Sequence, residues 1–210
     1  MRSSASTPSR RPSGPVPLLL VVLGEDHPKA CTGRQLVRAG SVREVPVGRP
    51  PHPAPLLLDP RADTPLAPSD RDRALSSGLL GVDASWNRIG RRGGYPRDVE
   101  WLARLSARRR LPWLLAANPQ HFGRLAELNT AEAFAAALRI LGEPARAGAL
   151  IAPFAGGPAF LALNRTALEA YAGARDAAEV RAAERAALER GWQVPEPDRT
   201  ARRRGRASSA

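Results

Sequence analysis

A layered α/β fold around a largely parallel sheet is what this chain predicts, on three observations. Apolar runs at Leu18–Leu23, Leu56–Leu58, Leu79–Asp83 and Leu111–Ala117 are continuous, without the alternation of a strand that has one wet face. Segments with helical spacing separate them. Asp, Asn and Pro close the later runs, as in Asp59-Pro60 and Asn118-Pro119.

In chain order, residues 1–15 are Ser, Pro and Arg with almost nothing to bury, so a disordered tail is expected. Arg10 and Arg11 before Val16–Leu23 resemble a short signal peptide. Pro15, Pro17, the following Gly24-Glu25-Asp26 and the lack of a small-x-small cleavage site argue against one. A membrane span needs about 20 apolar residues, so the run reads as a buried first strand and the expected location is the cytoplasm. A turn through Asp26-His27-Pro28 leads to Cys31-Thr32-Gly33, which opens a helix over Arg34–Ala39. A proline-rich crossing, Pro46 to Pro55, precedes the second strand. Ser69 caps a short helix over Asp70–Leu75, and Leu79–Asp83 is the third strand.

Gly90-Arg91-Arg92-Gly93-Gly94 reads as a flexible join, and Val99, Leu102 and Leu105 mark one face of a helix from Pro96 to Arg109. Leu111–Ala117 is the fourth buried strand. Thr130 with Ala133–Leu141 forms a strong helix, capped by Gly142 and stopped by Pro144. Weaker helices cover about Ala145–Ile151, Gly157–Asn164, Thr166–Ala172 and Asp176–Arg190, ahead of an arginine-rich tail.

The 210 residues suffice for one good-sized core or two small ones, and 43% hydrophobic against 25% charged suits a globular protein with disordered ends. A net charge of +12 points to a polyanionic partner, most commonly nucleic acid. Lys29 is the only lysine. Arginine forks onto phosphates and stacks on bases, although a GC-rich genome also favours it. With Cys31 as the one cysteine, no internal disulfide can form, and the isolated His27, His52 and His121 build no metal site.

Three strand ends carry chemistry-bearing residues: Leu58-Asp59-Pro60, Val82-Asp83-Ala84-Ser85-Trp86 and Ala117-Asn118-Pro119. In open α/β sheets ligands bind beyond the carboxyl ends of parallel strands. Ordinary turn chemistry accounts for the same residues, and no Gly-rich dinucleotide motif, P-loop or triad spacing accompanies them.

Order and spacing add more. His27-Pro28-Lys29-Ala30-Cys31-Thr32-Gly33, Leu56–Pro60, Val82–Trp86, Leu111–Pro119 and Leu128–Ala133 follow one another as a motif series. The series resembles the small-subunit rRNA aminocarboxypropyltransferases of ribosome biogenesis, over roughly residues 18–173. The resemblance implies an N-terminal α/β domain (16–94) and a C-terminal domain similar to the knotted SPOUT methyltransferases (95–192), between tails 1–15 and 193–210. It implies S-adenosylmethionine as co-substrate and no metal. The transferred group is 3-amino-3-carboxypropyl, and the acceptor is N3 of an N1-methylpseudouridine in small-subunit rRNA of the pre-ribosomal subunit.

By the same resemblance Leu58, Pro60 and Trp86 form an apolar adenine pocket, and the main chain at Val82 and Leu111 contacts the nucleoside. Thr32 holds the methionine moiety, Thr130 adds a further contact, and Asp83 lies beside the co-substrate as the candidate catalytic carboxylate; its alternative role is capping a turn. Arg88, Arg91, Arg92, Arg97, Arg104, Arg108, Arg109 and Arg110 are the candidate rRNA-binding face, or otherwise a solvated helix surface. His121 and Phe122 approach the substrate or pack structurally. The chain departs from the family pattern at Ala126, where an aromatic is usual, at Asp26-His27 in place of a Cys-Asp pair, and in a longer segment between Trp86 and Leu111. Two rival functions share these residues: a SPOUT-type rRNA methyltransferase, and a non-catalytic RNA-binding assembly factor.

Overall fold

The computed structural model describes residues 14–23, 31–84 and 97–191. Among them a five-stranded, all-parallel sheet has the order β2-β1-β4-β3-β5. Its strands are β1 (Leu18–Val22), β2 (Arg43–Glu44), β3 (Leu56–Leu58), β4 (Leu79–Asp83) and β5 (Arg108–Arg109). The predicted α/β class holds, and β1 and β4, the two longest apolar runs in the sheet, lie side by side at its centre with Leu18 opposite Leu79 and Val22 opposite Asp83.

Both faces of the sheet are covered, which is why these runs are apolar throughout. Leu18, Leu20 and Val22 of β1 join the larger core, with Leu36 of α1 (Thr32–Arg38), Ala74 of α2 (Arg71–Ser77) and Phe134 of α3 (Thr130–Ile140). Leu19 and Val21 point the other way and pack with Val45, Leu57, Leu80, Val99 and Leu102. The helix α3 lies so close to the sheet that a Cβ on Gly81 would come within 2.8 Å of the Phe134 ring. Helices α4 (Pro144–Ile151), α5 (Gly157–Leu163), α6 (Arg165–Gly173) and α7 (Ala177–Arg190) complete that layer.

The end of α3 matches the predicted stop. Gly142 takes φ +82°, its N–H reaches the Arg139 carbonyl at 3.2 Å, and the Glu143 N–H reaches Leu138 at 2.8 Å, the paired bonds of a Schellman cap. Pro144 does not merely stop α3: it opens α4, where a missing N–H costs nothing.

Two predicted elements are corrected. The helix expected from Pro96 to Arg109 is a 3-10 segment over Arg97–Arg104, kinked at Val99 (φ −126°, ψ 17°), and Arg108–Arg109 is strand. Pairing with β3 (Leu57 opposite Arg108, Leu58 opposite Arg109) satisfies an edge that would otherwise lie bare, and it overrides the arginines' helical preference. Leu111–Ala117 is not a sheet strand. It runs extended beyond β5, and Leu114 to Ala117 are buried as the apolar run required. One edge pairs with a returning segment: the Ala126 N–H donates to the Leu114 carbonyl at 2.8 Å, the Gly123 N–H to Ala116 at 2.8 Å, and the Ala116 N–H to Arg124 at 2.9 Å. Side chains from distant helices satisfy the other edge.

Candidate functional site

The central pair of strands sets the site. From β1 the chain crosses outward to β2, whereas β4 leads on to β5 at the opposite edge, so the carboxyl ends of β1 and β4 meet at a topological switch point, the place where open α/β sheets bind ligands. Asp83 is the last residue of β4 at that point, half-buried.

Its carboxylate is held from two sides. The Cys31 thiol donates to Oδ2 at 2.8 Å, and the Thr130 hydroxyl donates to Oδ1 at 2.5 Å. Cys31 is the N-cap of α1, where its sulfur also accepts from the Arg34 N–H at 3.5 Å. Burial, then the hydrogen bond to Asp83, push its thiol above the ordinary value, so it stays protonated and remains a donor. Thr130 opens α3. Gly33, two residues after the cap, has a steric reason to be glycine: a Cβ there would lie within 2.6 Å of the Asp83 carboxyl carbon. The Cys-Thr-Gly triplet therefore supplies a donor, a half-buried Thr32 and clearance for a carboxylate.

Other predicted residues fall along the same edge. Val82 is half-buried beside Asp83, Leu58 is half-buried at the end of β3, and Pro60 is exposed just beyond. The intervening Asp59 is buried, accepts from the Arg61 main-chain N–H at 3.0 Å and Nε at 3.2 Å, and faces the Arg108 guanidinium at 3.5 Å, which anchors the turn presenting Pro60. Leu111, half-buried, follows β5. Trp86, Arg88, Arg91 and Arg92 lie outside the described residues, as does the side chain of Arg97.

The extended segment after β5 is fixed by buried polar side chains. Glu184 of α7 takes the Arg110 guanidinium at 2.6 and 2.8 Å and the Trp113 N–H at 3.0 Å. Asn164 accepts from the Leu115 N–H and donates to the Leu115 carbonyl, both at 2.8 Å. Glu132 Oε1 accepts from the Ala117 N–H at 2.7 Å, and its Oε2 accepts from Asn118 Nδ2 at 2.7 Å and the Asn129 N–H at 2.9 Å. Asn129 returns the bond to the Glu132 N–H, a capping box that starts α3. Thus one carboxylate joins the end of the 111–117 segment to the helix terminus that carries Thr130. Sequence reasoning passed over Glu132, Cys31 and Gly33 as functional parts. The Asn-x-x-Glu spacing of a capping box was the available signal for Glu132.

The candidate arginines separate. Arg109 is bound to Asp70 at 2.9 and 3.0 Å and Arg110 to Glu184, which raises the Arg110 guanidinium's affinity for its proton. Arg108, with a side chain 42% exposed, is the most open of the three. Ala126 takes φ +63°, a left-handed conformation unusual for alanine. His121 is half-buried and Phe122 exposed on the turn that Asn118 Oδ1 fixes by accepting from the His121 N–H at 3.0 Å.

Comparison with known proteins bears on this geometry. The family model described as "Ribosome biogenesis protein, C-terminal" matches residues 56–188. The 16S rRNA aminocarboxypropyltransferase of Methanopyrus kandleri is 43% identical over 159 residues, spanning 73% of this chain and 87% of its own length. The 18S rRNA aminocarboxypropyltransferase of Schizosaccharomyces pombe is 33% identical over 177 residues, spanning 83% of this chain and 58% of its own. The solved structure of the SAM-dependent rRNA:acp-transferase Tsr3 from Vulcanisaeta distributa aligns with a TM-score of 0.65 at 36% identity, over 80% of this chain and 88% of that one.

Proposed function

The chain belongs to the ribosome biogenesis family that includes the 16S and 18S rRNA aminocarboxypropyltransferases, and from that membership we propose its reaction. It transfers the 3-amino-3-carboxypropyl group of S-adenosylmethionine to N3 of an N1-methylpseudouridine in small-subunit rRNA. The observation that carries the chemistry is the Asp83 carboxylate, fixed between Cys31 and Thr130 at the carboxyl end of a central strand.

The residues suit the co-substrate. Leu58 and Pro60 leave apolar surface uncovered at the neighbouring strand end, as an adenine requires; the family resemblance assigns Trp86 to the same pocket and the main chain at Val82 and Leu111 to the nucleoside. Thr130 donates to the carboxylate that the co-substrate's sulfonium and ammonium need, and Thr32 follows Cys31, its other donor. Each carboxylate oxygen has two acceptor sites, so Asp83 retains capacity for a substrate N–H after accepting from Cys31 and Thr130.

Methyl and aminocarboxypropyl both hang on one sulfonium, so orientation chooses the product. The acceptor nitrogen attacks the methionine γ-carbon, the carbon–sulfur bond breaks with its electron pair on sulfur, and 5′-methylthioadenosine leaves. The acceptor's proton departs before or during attack, and Asp83 is the nearest group to assist. In this reading residues 16–94 form the N-terminal domain and 95–192 the knotted, SPOUT-like one. Arg88, Arg91, Arg92, Arg97 and Arg108 meet rRNA phosphates of the small subunit in the cytoplasm. Among the described residues no helix is long and apolar enough to cross a membrane.

S-adenosylmethionine labelled separately in its carboxyl and methyl carbons tests the proposal. Carboxyl label entering rRNA is the expected result. Methyl label alone would make the chain a methyltransferase, and neither label, with rRNA still bound, would leave a binding factor.

A further inference from the structure

We infer that Trp113 and Phe122, two rings open to solvent on the paired segment 111–126, form a stacking platform for unpaired bases of the rRNA substrate. The inference rests on the reading above and adds the surface by which the RNA is gripped. Trp113 is 37% and Phe122 44% exposed; Leu188 on α7 is the other large apolar side chain left open among the described residues. Charged residues stand next to them in the sequence, Arg124 and Glu127 after Phe122 and Arg185 and Glu189 around Leu188, and charged neighbours are depleted at the core of a protein-docking face.

The main chain that carries Trp113 is fixed. Its N–H donates to Glu184 at 3.0 Å and its carbonyl accepts from the Tyr171 hydroxyl at 3.0 Å, so the backbone is pinned on both sides. The Arg110 guanidinium, itself locked on Glu184, stands 5.8 Å from the centre of the indole ring. Arg110 is thereby occupied and contributes orientation rather than a free positive charge. Phe122 sits on a turn that is equally constrained, with the His121 N–H bonded to Asn118, the Gly123 N–H to Ala116 and the Arg124 N–H to His121.

Exposed aromatic rings carried on a fixed main chain in a basic protein fit unstacked nucleobases, because every base offers a π-face whatever its identity. Three residue steps of extended chain, about 10 Å, separate Trp113 from Ala116, which pairs with Gly123 beside Phe122. An acceptor nitrogen on a Watson–Crick edge is out of reach inside a duplex, and protein rings that hold unpaired bases offset the stacking lost when the strand opens.

The test measures binding of the full chain to a single-stranded small-subunit rRNA oligonucleotide carrying N1-methylpseudouridine. Trp113→Ala and Phe122→Ala are each expected to weaken binding about 5- to 150-fold, and Trp113→Phe to keep most of the affinity. The dependence on salt should keep its slope, because no phosphate contact is lost. Unchanged S-adenosylmethionine affinity in the Trp113 variants would show that the fold is intact. Wild-type affinity in both alanine variants, or equal losses in Trp113→Phe and Trp113→Ala, overturns the platform while leaving the transferase reading standing. Failure of the wild-type chain to bind the RNA overturns both.

Discussion

Replacing Glu132 by glutamine changes one atom in a side chain that is 2% exposed, yet all three of its side chain's partners are donors: the Ala117 N–H, Asn118 Nδ2 and the Asn129 N–H. A carboxylate accepts from all of them, whereas an amide accepts only through its oxygen. The best arrangement puts that oxygen where Oε2 stands and keeps Asn118 and Asn129. The amide nitrogen then faces the Ala117 N–H, and Ala117 is only 3% exposed, so water cannot replace the lost acceptor. One buried unsatisfied donor costs about 1–3 kcal/mol. A chain of this size loses roughly 2–4 °C in Tm per kcal/mol, so the melting point should drop by about 2–12 °C. Because Thr130 rides on the same helix terminus, S-adenosylmethionine affinity measured by calorimetry well below that Tm should fall too. Adding Asn118→Asp lets the amide turn over, its oxygen accepting from the Ala117 N–H and its nitrogen donating to residue 118, and should recover part of the loss, a coupling on the order of 0.5–3 kcal/mol. An unchanged Tm, or strictly additive losses in the double variant, would refute the picture of Glu132 as the joint between segment and helix.

Gly33→Ala drives a methyl group into the Asp83 carboxyl, which should cost about 1–3 kcal/mol of overpacking and weaken co-substrate binding, read by a thermal melt and calorimetry. Single-turnover chromatography should show 5′-methylthioadenosine as by-product, and Asp83→Asn should slow transfer more than it weakens binding if the carboxylate acts in the transition state; S-adenosylhomocysteine as the main product would refute the first claim. The Cys31 thiol is raised in the folded state, so its contribution to stability is fully present below the ordinary value of 9.0 and is lost as pH rises through the higher folded value. Urea melts should therefore show a steeper alkaline loss in the wild type than in Cys31→Ala. Arg110→Ala leaves Glu184 buried without its cation, which should cost about 3–5 kcal/mol in a denaturant melt while leaving the salt slope of RNA binding unchanged.

The central architecture was legible because it is written in local patterns. The β1 and β4 runs are apolar on both faces, and the carboxyl-end residues Asp59, Asp83 and Asn118 mark where they or their neighbours turn. The edge strands were not legible. Arg43–Glu44 and Arg108–Arg109 are two residues each, carry no apolar signal, and are strands only because β1 and β3 offer them backbone partners. The extended course of Leu111–Ala117 could be read, but not its partners. Its bonds to Asn164 and Glu184 span 49 to 74 residues of sequence, and each partner occurs in a helix or helix junction where a polar residue ordinarily faces water. At the site, Thr130 and Asp83 were named separately. That they touch, and that Cys31 completes the cradle, depends on α1 and α3 converging on one strand end.

That convergence resolves a conflict built into the composition. An arginine-rich chain with net charge +12 suits RNA, but its co-substrate carries a sulfonium and an ammonium against a single carboxylate and is net positive. Several scaffold carboxylates here are matched with guanidinium groups: Asp59 with Arg61 and Arg108, Asp70 with Arg109, Glu143 with Arg71 and Arg146, Glu184 with Arg110. Asp83, like the buried Glu132 with its amide donors, is treated differently. Among the described residues its side-chain partners are a thiol and a hydroxyl, both neutral. Neutral donors orient a carboxylate without cancelling its charge, so it can still attract a cation. An arginine in place of Thr130 or Cys31 would hold Asp83 as firmly and repel the ligand. In the proposed reading, a site carboxylate held by neutral donors is what lets one small basic protein take both an anionic RNA and a net-cationic co-substrate.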